Sequence, residues 1–124
     1  MATIRKGFTL TDTITDPATG AELTGMFVRL SHFGGNHGVG EGCNMEMHLR
    51  YYKDEATFDT DQSNHIIWMA RKYGQVEFTM TNELFNDASQ PASHQIHRMA
   101  KLRMEQSEEN GGFGWTLTNV NYTT

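Results

Sequence analysis

The stretch that most constrains the fold runs from Met26 to Tyr52, where two segments of two-residue alternation flank a glycine-studded crossing. In NMEMHLRYY, Met45, Met47, Leu49 and Tyr51 fall on one side and Glu46, His48, Arg50 and Tyr52 on the other, the period of a half-buried strand. In MFVRL the inward set is Met26, Val28 and Leu30. Phe27 and Arg29 then point outward, and an outward Phe beside a charge marks a face that is not wholly wet. Between the two segments, Gly34, Gly35, Gly38, Gly40 and Gly42 punctuate SHFGGNHGVGEGC. The simplest reading is an antiparallel pair joined by a long glycine-rich loop, free enough to order against a partner.

The rest of the chain is read around that pair. Phe8, Leu10 and Ile14 alternate with threonines in a first strand, which runs into Asp16-Pro17-Ala18-Thr19-Gly20. There Asp bonds the backbone ahead, Pro presets φ and Gly accepts the left-handed position, so the pentad predicts a β-hairpin. Its second arm continues from Ala21 to Phe33, with Gly25 a bulge or bend. Lys53 to Phe58 suits one helical turn beneath Phe58, and residues 59–64 are too polar and turn-prone to be regular. HIIWMARKY, 65–73, reads as a buried strand or as a short helix capped by Asn64; the propensity of Ile66, Ile67 and Trp68, and a length of nine residues, favour the strand. Val76, Phe78 and Met80 alternate in another strand, and Leu84 and Phe85 tuck a loop onto the core.

Ser89-Gln90-Pro91 opens a helix over about 90–110, with Ile96, Met99, Ala100 and Met104 as its apolar stripe, Leu102 flanking, and Gly111-Gly112 as its stop. Phe113 to Tyr122 closes the chain as a strand with Trp115 and Leu117 on one face and Val120 and Tyr122 on the other, a switch that suggests a bulge. The expected fold is mainly β (α+β): one domain over 1–124, an antiparallel sandwich or small barrel of about six strands covered by a C-terminal helix. Sandwich and barrel are not separated by this pattern.

Composition bears on function. A net charge of −5 with scattered Lys and Arg argues against a generic nucleic-acid surface. A single cysteine, Cys43, rules out an intrachain disulfide framework and suits a reducing compartment. No signal-like leader or run of 18 apolar residues is present, so a soluble protein made in a cytoplasm is expected. The hydrophobic share of 37% is low for a free-standing globule, and eight methionines pack adaptably, so a neighbouring subunit is expected to complete part of the core.

Candidate chemistry is thin. His32, His37, Cys43 and His48 would gather soft sulfur and imidazoles around the glycine loop for zinc, but their spacings match no zinc signature and exposed histidines are the plainer reading. His94 and His97 share a helix face without further ligands, which favours a solvated polar face. Cys43 lacks any local sign of activation as a nucleophile. Gly38 to Gly42 leads into a strand rather than a helix, so it is no phosphate cradle. The pairs Asp59 with Asp61 and Glu108 with Glu109 fall in wet segments. No cofactor is expected. Aromatic residues are more informative: Phe27, Phe33, Tyr52, Tyr73 and Tyr122 exceed what a thin sheet can bury, and with Gly35, Gly38 and Gly40 they form the expected partner-binding set.

The Thr-rich start, DPATG hairpin, MFVRLSHF, loop, NMEMHLRYYKDEATF, further strand, helix and closing strand resemble the layout of small virion proteins of tailed bacteriophages. That resemblance implies a structural subunit of tail, baseplate or neck without catalytic activity. It would be assembled in the host cytoplasm, reside in the virion, and bind copies of itself and other virion proteins but neither nucleic acid nor membrane. The alternatives are a small β-barrel binding an apolar or sugar ligand, with methionines and Trp68 or Trp115 lining its cavity, and a metal-dependent enzyme built on the histidine loop.

Overall fold

In the computed structural model, which describes residues 4–37, 43–80, 89 and 92–122, five strands form one antiparallel sheet. They are β1 (Arg5–Thr15), β2 (Glu22–His37), β3 (Cys43–Tyr52), β4 (Gln75–Met80) and β5 (Leu117–Asn121), in the spatial order β4-β3-β2-β1-β5. The outer strands β4 and β5 are not paired with each other, so the described sheet is open.

The DPATG turn joins β1 to β2 as its chemistry dictates: Asp16 N–H donates to Ala21 O (2.7 Å), Gly20 N–H to Asp16 O (2.8 Å), and the Asp16 carboxylate accepts from Ala18 N–H (2.9 Å). Leu10 pairs with Met26 and Thr13 with Thr24, so Thr11 and Asp12 together face Gly25, whose φ of +77° glycine accepts without strain. This is the expected bulge.

β2 continues past the expected loop boundary. Gly34 and Gly35 are strand residues, paired with Glu46 and Met45, and a Cβ on Gly35 would collide with the Asn44 carbonyl and crowd the Met45 sulfur. Gly35 therefore permits close strand pairing rather than loop motion. Gly38 and Gly40 lie outside the described residues, as do the Leu84–Phe85 anchor and the Gln90–Pro91 helix start.

Five strands stand where six were expected because HIIWMARKY supplies a helix. Asp54 caps α1 (Glu55–Thr60) by accepting from Thr57 N–H at 2.7 Å, and α2 follows at Ile67–Tyr73. Ile66, Met69, Ala70 and Tyr73 recur at helical spacing; Met69 is fully buried whereas Ile67 is exposed. That period, with Arg71 and Lys72 at the C-terminal end, outweighs the strand propensity of the two isoleucines. α3 (Ala92–Glu105) buries Ala100 and Met104 and leaves Leu102 exposed, and a single 3₁₀ turn, Glu108–Asn110, leads toward β5.

The sheet is covered differently on its two faces. On one, Phe8, Leu10, Met26, Val28, Met47 and Tyr51 meet Met69 of α2, Met104 of α3 and the incoming Trp115. On the other, Phe27 and Tyr52, paired across β2 and β3, receive Phe58 of α1 at ring separations of 5.2 and 5.1 Å. Phe27 and Tyr52 were expected at the surface; α1 buries both. Leu117 and Val120 take opposite faces by simple alternation, so the irregularity lies not in β5 but in β1, between Arg5 and Gly7. That shift carries the Lys6 side chain to the α1 side although Phe8, two residues on, faces the main core.

Candidate functional site

Past the base formed by β3, β2, β1 and β5, the sheet narrows. The described pairing of β1 with β2 extends only as far as Phe8 opposite Val28, whereas β2 goes on to His37 beside β3, and β4 pairs with β3 only over Cys43 to His48. The ends of β2, β3 and β4 therefore form a three-stranded tip.

A bulge at Ser31 resets the alternation, so His32 sits opposite His48, with ring centroids 5.2 Å apart. Next along the same face, Gly34, Glu46 and Glu77 make a row across the three strands, followed by Asn44 beside Thr79, whose hydroxyl donates to the Asn44 amide oxygen at 3.2 Å. Glu46 and Glu77 are directly opposed like charges, an arrangement that costs stability unless bridged. The Gln75 amide does the bridging: its Nε2 donates to Glu46 at 3.4 Å and to Glu77 at 3.2 Å. His48 Nε2 lies 3.3 Å from the other Glu46 oxygen. Phe33 points to the opposite side and is 51% exposed. A groove of about 970 Å³ runs along the tip, walled by Gly35, Met45 and Phe78 of the sheet and Met99, Leu102 and Arg103 of α3.

A smaller groove of about 230 Å³ adjoins it across α3 at Leu102, which borders both, and is walled by Arg5, His94, Arg98, Lys101 and Asn119. Lys101 pairs with Glu105 at 3.1 Å, and the Arg5 guanidinium donates to the Asn121 side chain. Arg98 has no ion-pair or hydrogen-bond partner among the described residues.

The α1 side of the base holds a cationic aromatic cluster. Lys6 Nζ bonds Asp59 at 2.6 Å, lies 3.7 Å from Glu55, and stands within 6 Å of the ring centroids of Phe27, Phe58 and Tyr122. Burial alone would lower the Lys6 pKa, but the Asp59 hydrogen bond and the two carboxylates outweigh it and hold the ammonium above its usual range. Arg29 lies over Phe58 and Tyr122 and donates to the Lys6 carbonyl and the Tyr122 hydroxyl, both at 2.8 Å. In the main core, burial pushes the Tyr51 hydroxyl well above the usual tyrosine range, with Tyr73 adding to it; the group donates to the Tyr73 carbonyl at 2.7 Å.

The predicted site residues are thus dispersed. His32 and His48 come together; His37 and Cys43 are paired backbone positions at the end of the tip; among the described residues no three His, Cys, Asp or Glu side chains are arranged to hold a metal ion. Tyr73 is half-buried against Phe113 and Trp115, leaving Phe33 and Tyr122 as the exposed members of the aromatic set. His97, expected in a solvated face, is buried edge-on against Phe8; Asp59 is exposed, as its wet segment predicts, and bonds Lys6. Sequence reasoning missed the basic groove, although 94, 98 and 101 share one helical face. It had no signal for Lys6, whose partners lie some fifty residues away. Comparison with protein-family models, with curated proteins and with solved structures finds no match.

Proposed function

We propose that this chain is a structural subunit of a bacteriophage particle, in the tail, baseplate or neck, that performs no chemistry and works by being fitted against copies of itself and other virion proteins. The observation supporting this reading is the three-stranded tip: a polar, charge-bearing extension of the sheet with the exposed Phe33, continuing beyond its described pairing with β1. On this reading the closure expected as a sandwich or barrel is made between subunits, since an open sheet can be continued by neighbours. The ligand-binding alternative draws less support, because Trp115 is packed tightly between Tyr51, Tyr73 and Phe113 instead of lining a cavity. No helix among the described residues is long and apolar enough to cross a membrane. Mass spectrometry of purified particles tests the proposal: the chain is expected in the particle at a fixed multiple of copies, and its absence from every particle fraction would overturn it.

A further inference from the structure

The groove walled by Arg5, Arg98 and Lys101 gathers positive charge in a chain whose net charge is −5. It lies between one flank of α3 and the paired strands β1 and β5. His94, Arg98 and Lys101 follow one another at helical spacing along α3, while Arg5 stands opposite Asn121 and Asn119 opposite Phe8. The donors there are largely unused. Arg98 has no ion-pair or hydrogen-bond partner among the described residues, and the Arg5 guanidinium donates there only to the neutral side chain of Asn121. Lys101 directs one of its three N–H groups to Glu105. His94 lines the same groove, and its Nε2 is buried with no hydrogen-bond partner among the described residues, a state that costs stability until a partner meets it. No carboxylate belongs to the described wall; Glu105 turns its second oxygen to the Leu117 N–H. With Glu105 offsetting Lys101, the two guanidiniums stand uncompensated.

From this we infer that the groove is a binding site for a phosphate group, either the free ion or a small phosphomonoester. Charge selects phosphate: it carries about −1.5 to −2 near neutral pH, which two uncompensated guanidiniums balance, whereas a lone carboxylate leaves one of them unmatched. Donor geometry agrees, since a guanidinium fork bonds phosphate oxygens in pairs. Volume agrees as well: about 230 Å³ is several times the roughly 30 Å³ of a water molecule, enough for the ion with space left for a small substituent. A chain of net charge −5 has no general attraction for anions, so affinity has to come from this local arrangement. Being partly exposed, the site weakens with salt. It is independent of any assembly with other chains.

Inorganic phosphate titrated into the isotope-labelled full chain, at constant low ionic strength set with sodium chloride, tests the site by NMR. The signals of Arg5, His94, Arg98 and Asn119 are expected to shift together along one saturating curve. Those of Arg50, an exposed cation paired with Arg29 in the middle of the sheet, are expected to stay in place. Arg98→Gln removes a guanidinium that bonds nothing among the described residues, so the fold is expected to survive and binding to weaken at least roughly tenfold, the size of one charged hydrogen bond. Arg50→Gln is expected to leave binding unchanged. Methyl phosphate distinguishes the two sources: affinity equal to or below that of inorganic phosphate assigns the free ion, and higher affinity assigns a phosphorylated small molecule whose substituent fills the rest of the groove. Sodium acetate binding as tightly as phosphate would make the groove a seat for carboxylates and overturn the inference. Shifts scattered over every exposed cation, an unchanged affinity in Arg98→Gln, or no saturation within the millimolar range would overturn it too.

Discussion

Where α2 and α3 lie against the sheet, the filling is methionine, leucine and aromatic carbon; where α1 lies against the other side, it is three rings and a valine with two cations laid over them. The first arrangement draws on residues from nearly every element and gains mainly by removing apolar surface from water. The second is shallow, closed by a helix of six residues, and depends on geometry: Gly7 has no side chain where a Cβ would collide with the Val28 carbonyl and crowd the Phe27 ring, and this absence lets Phe27 lie flat beneath Lys6. A sheet can therefore be built on one face and only patched on the other, provided the patch anchors its charges.

That contrast can be broken most directly by truncating one ring on each side. Phe8→Ala is expected to cost about 4 kcal/mol in chemical denaturation, since its surroundings are fixed by two helices and the sheet. Phe58→Ala is expected at the low end of the range, about 3 kcal/mol, because a short helix can settle into the gap. Equal or reversed costs would mean that the α1 side is as much a core as the other.

A smaller effect isolates the charge. Lys6→Met keeps the stem over the rings and is expected to cost about 1 kcal/mol at low salt, the size of a partly shielded cation over aromatic faces with half-exposed carboxylate partners. A variant as stable as the unaltered chain would reduce Lys6 to a space-filler.

pH then separates the two sides. Lys6 and Tyr51 both bind their protons more tightly in the folded chain than their ordinary values of 10.5 and 10.0 imply. Their contributions are complete below those values and are lost as pH rises through the higher folded ones. Denaturant midpoints are expected to be level toward pH 10 and to fall above it, less steeply in Lys6→Met; an unchanged alkaline slope in that variant would assign the whole effect to Tyr51. The smallest effect belongs to Asp54, whose carboxyl is held low by its bonds to Thr57. Its contribution is present above the usual carboxyl range and fades as pH falls through the lower folded value. Asp54→Ala is expected to speed amide exchange at Thr57 and Phe58 while leaving the main core protected; uniform loss of protection would show that α1 is not independent.

The sequence made the hairpin, the Gly25 bulge, the alternation of β3 and the buried stripe of α3 readable, because each is a local pattern of two or 3.6 residues. It misassigned α2, where isoleucine propensity competes with a helical period over only seven residues. The surface aromatics failed for another reason: alternation shows that Phe27 and Tyr52 share a face but not that Phe58 will cover it.

The pairing of β1 with β5, with Arg5 bonded to Asn121 across 116 positions, sets a schedule for biosynthesis. During translation β1 and β2 can close as a hairpin early, but one flank of β1 waits uncovered until more than a hundred further residues have been polymerised and have cleared the ribosome. For that interval the nascent polypeptide offers a bare ladder edge to whatever lies nearby, including other unfinished copies on the same messenger RNA.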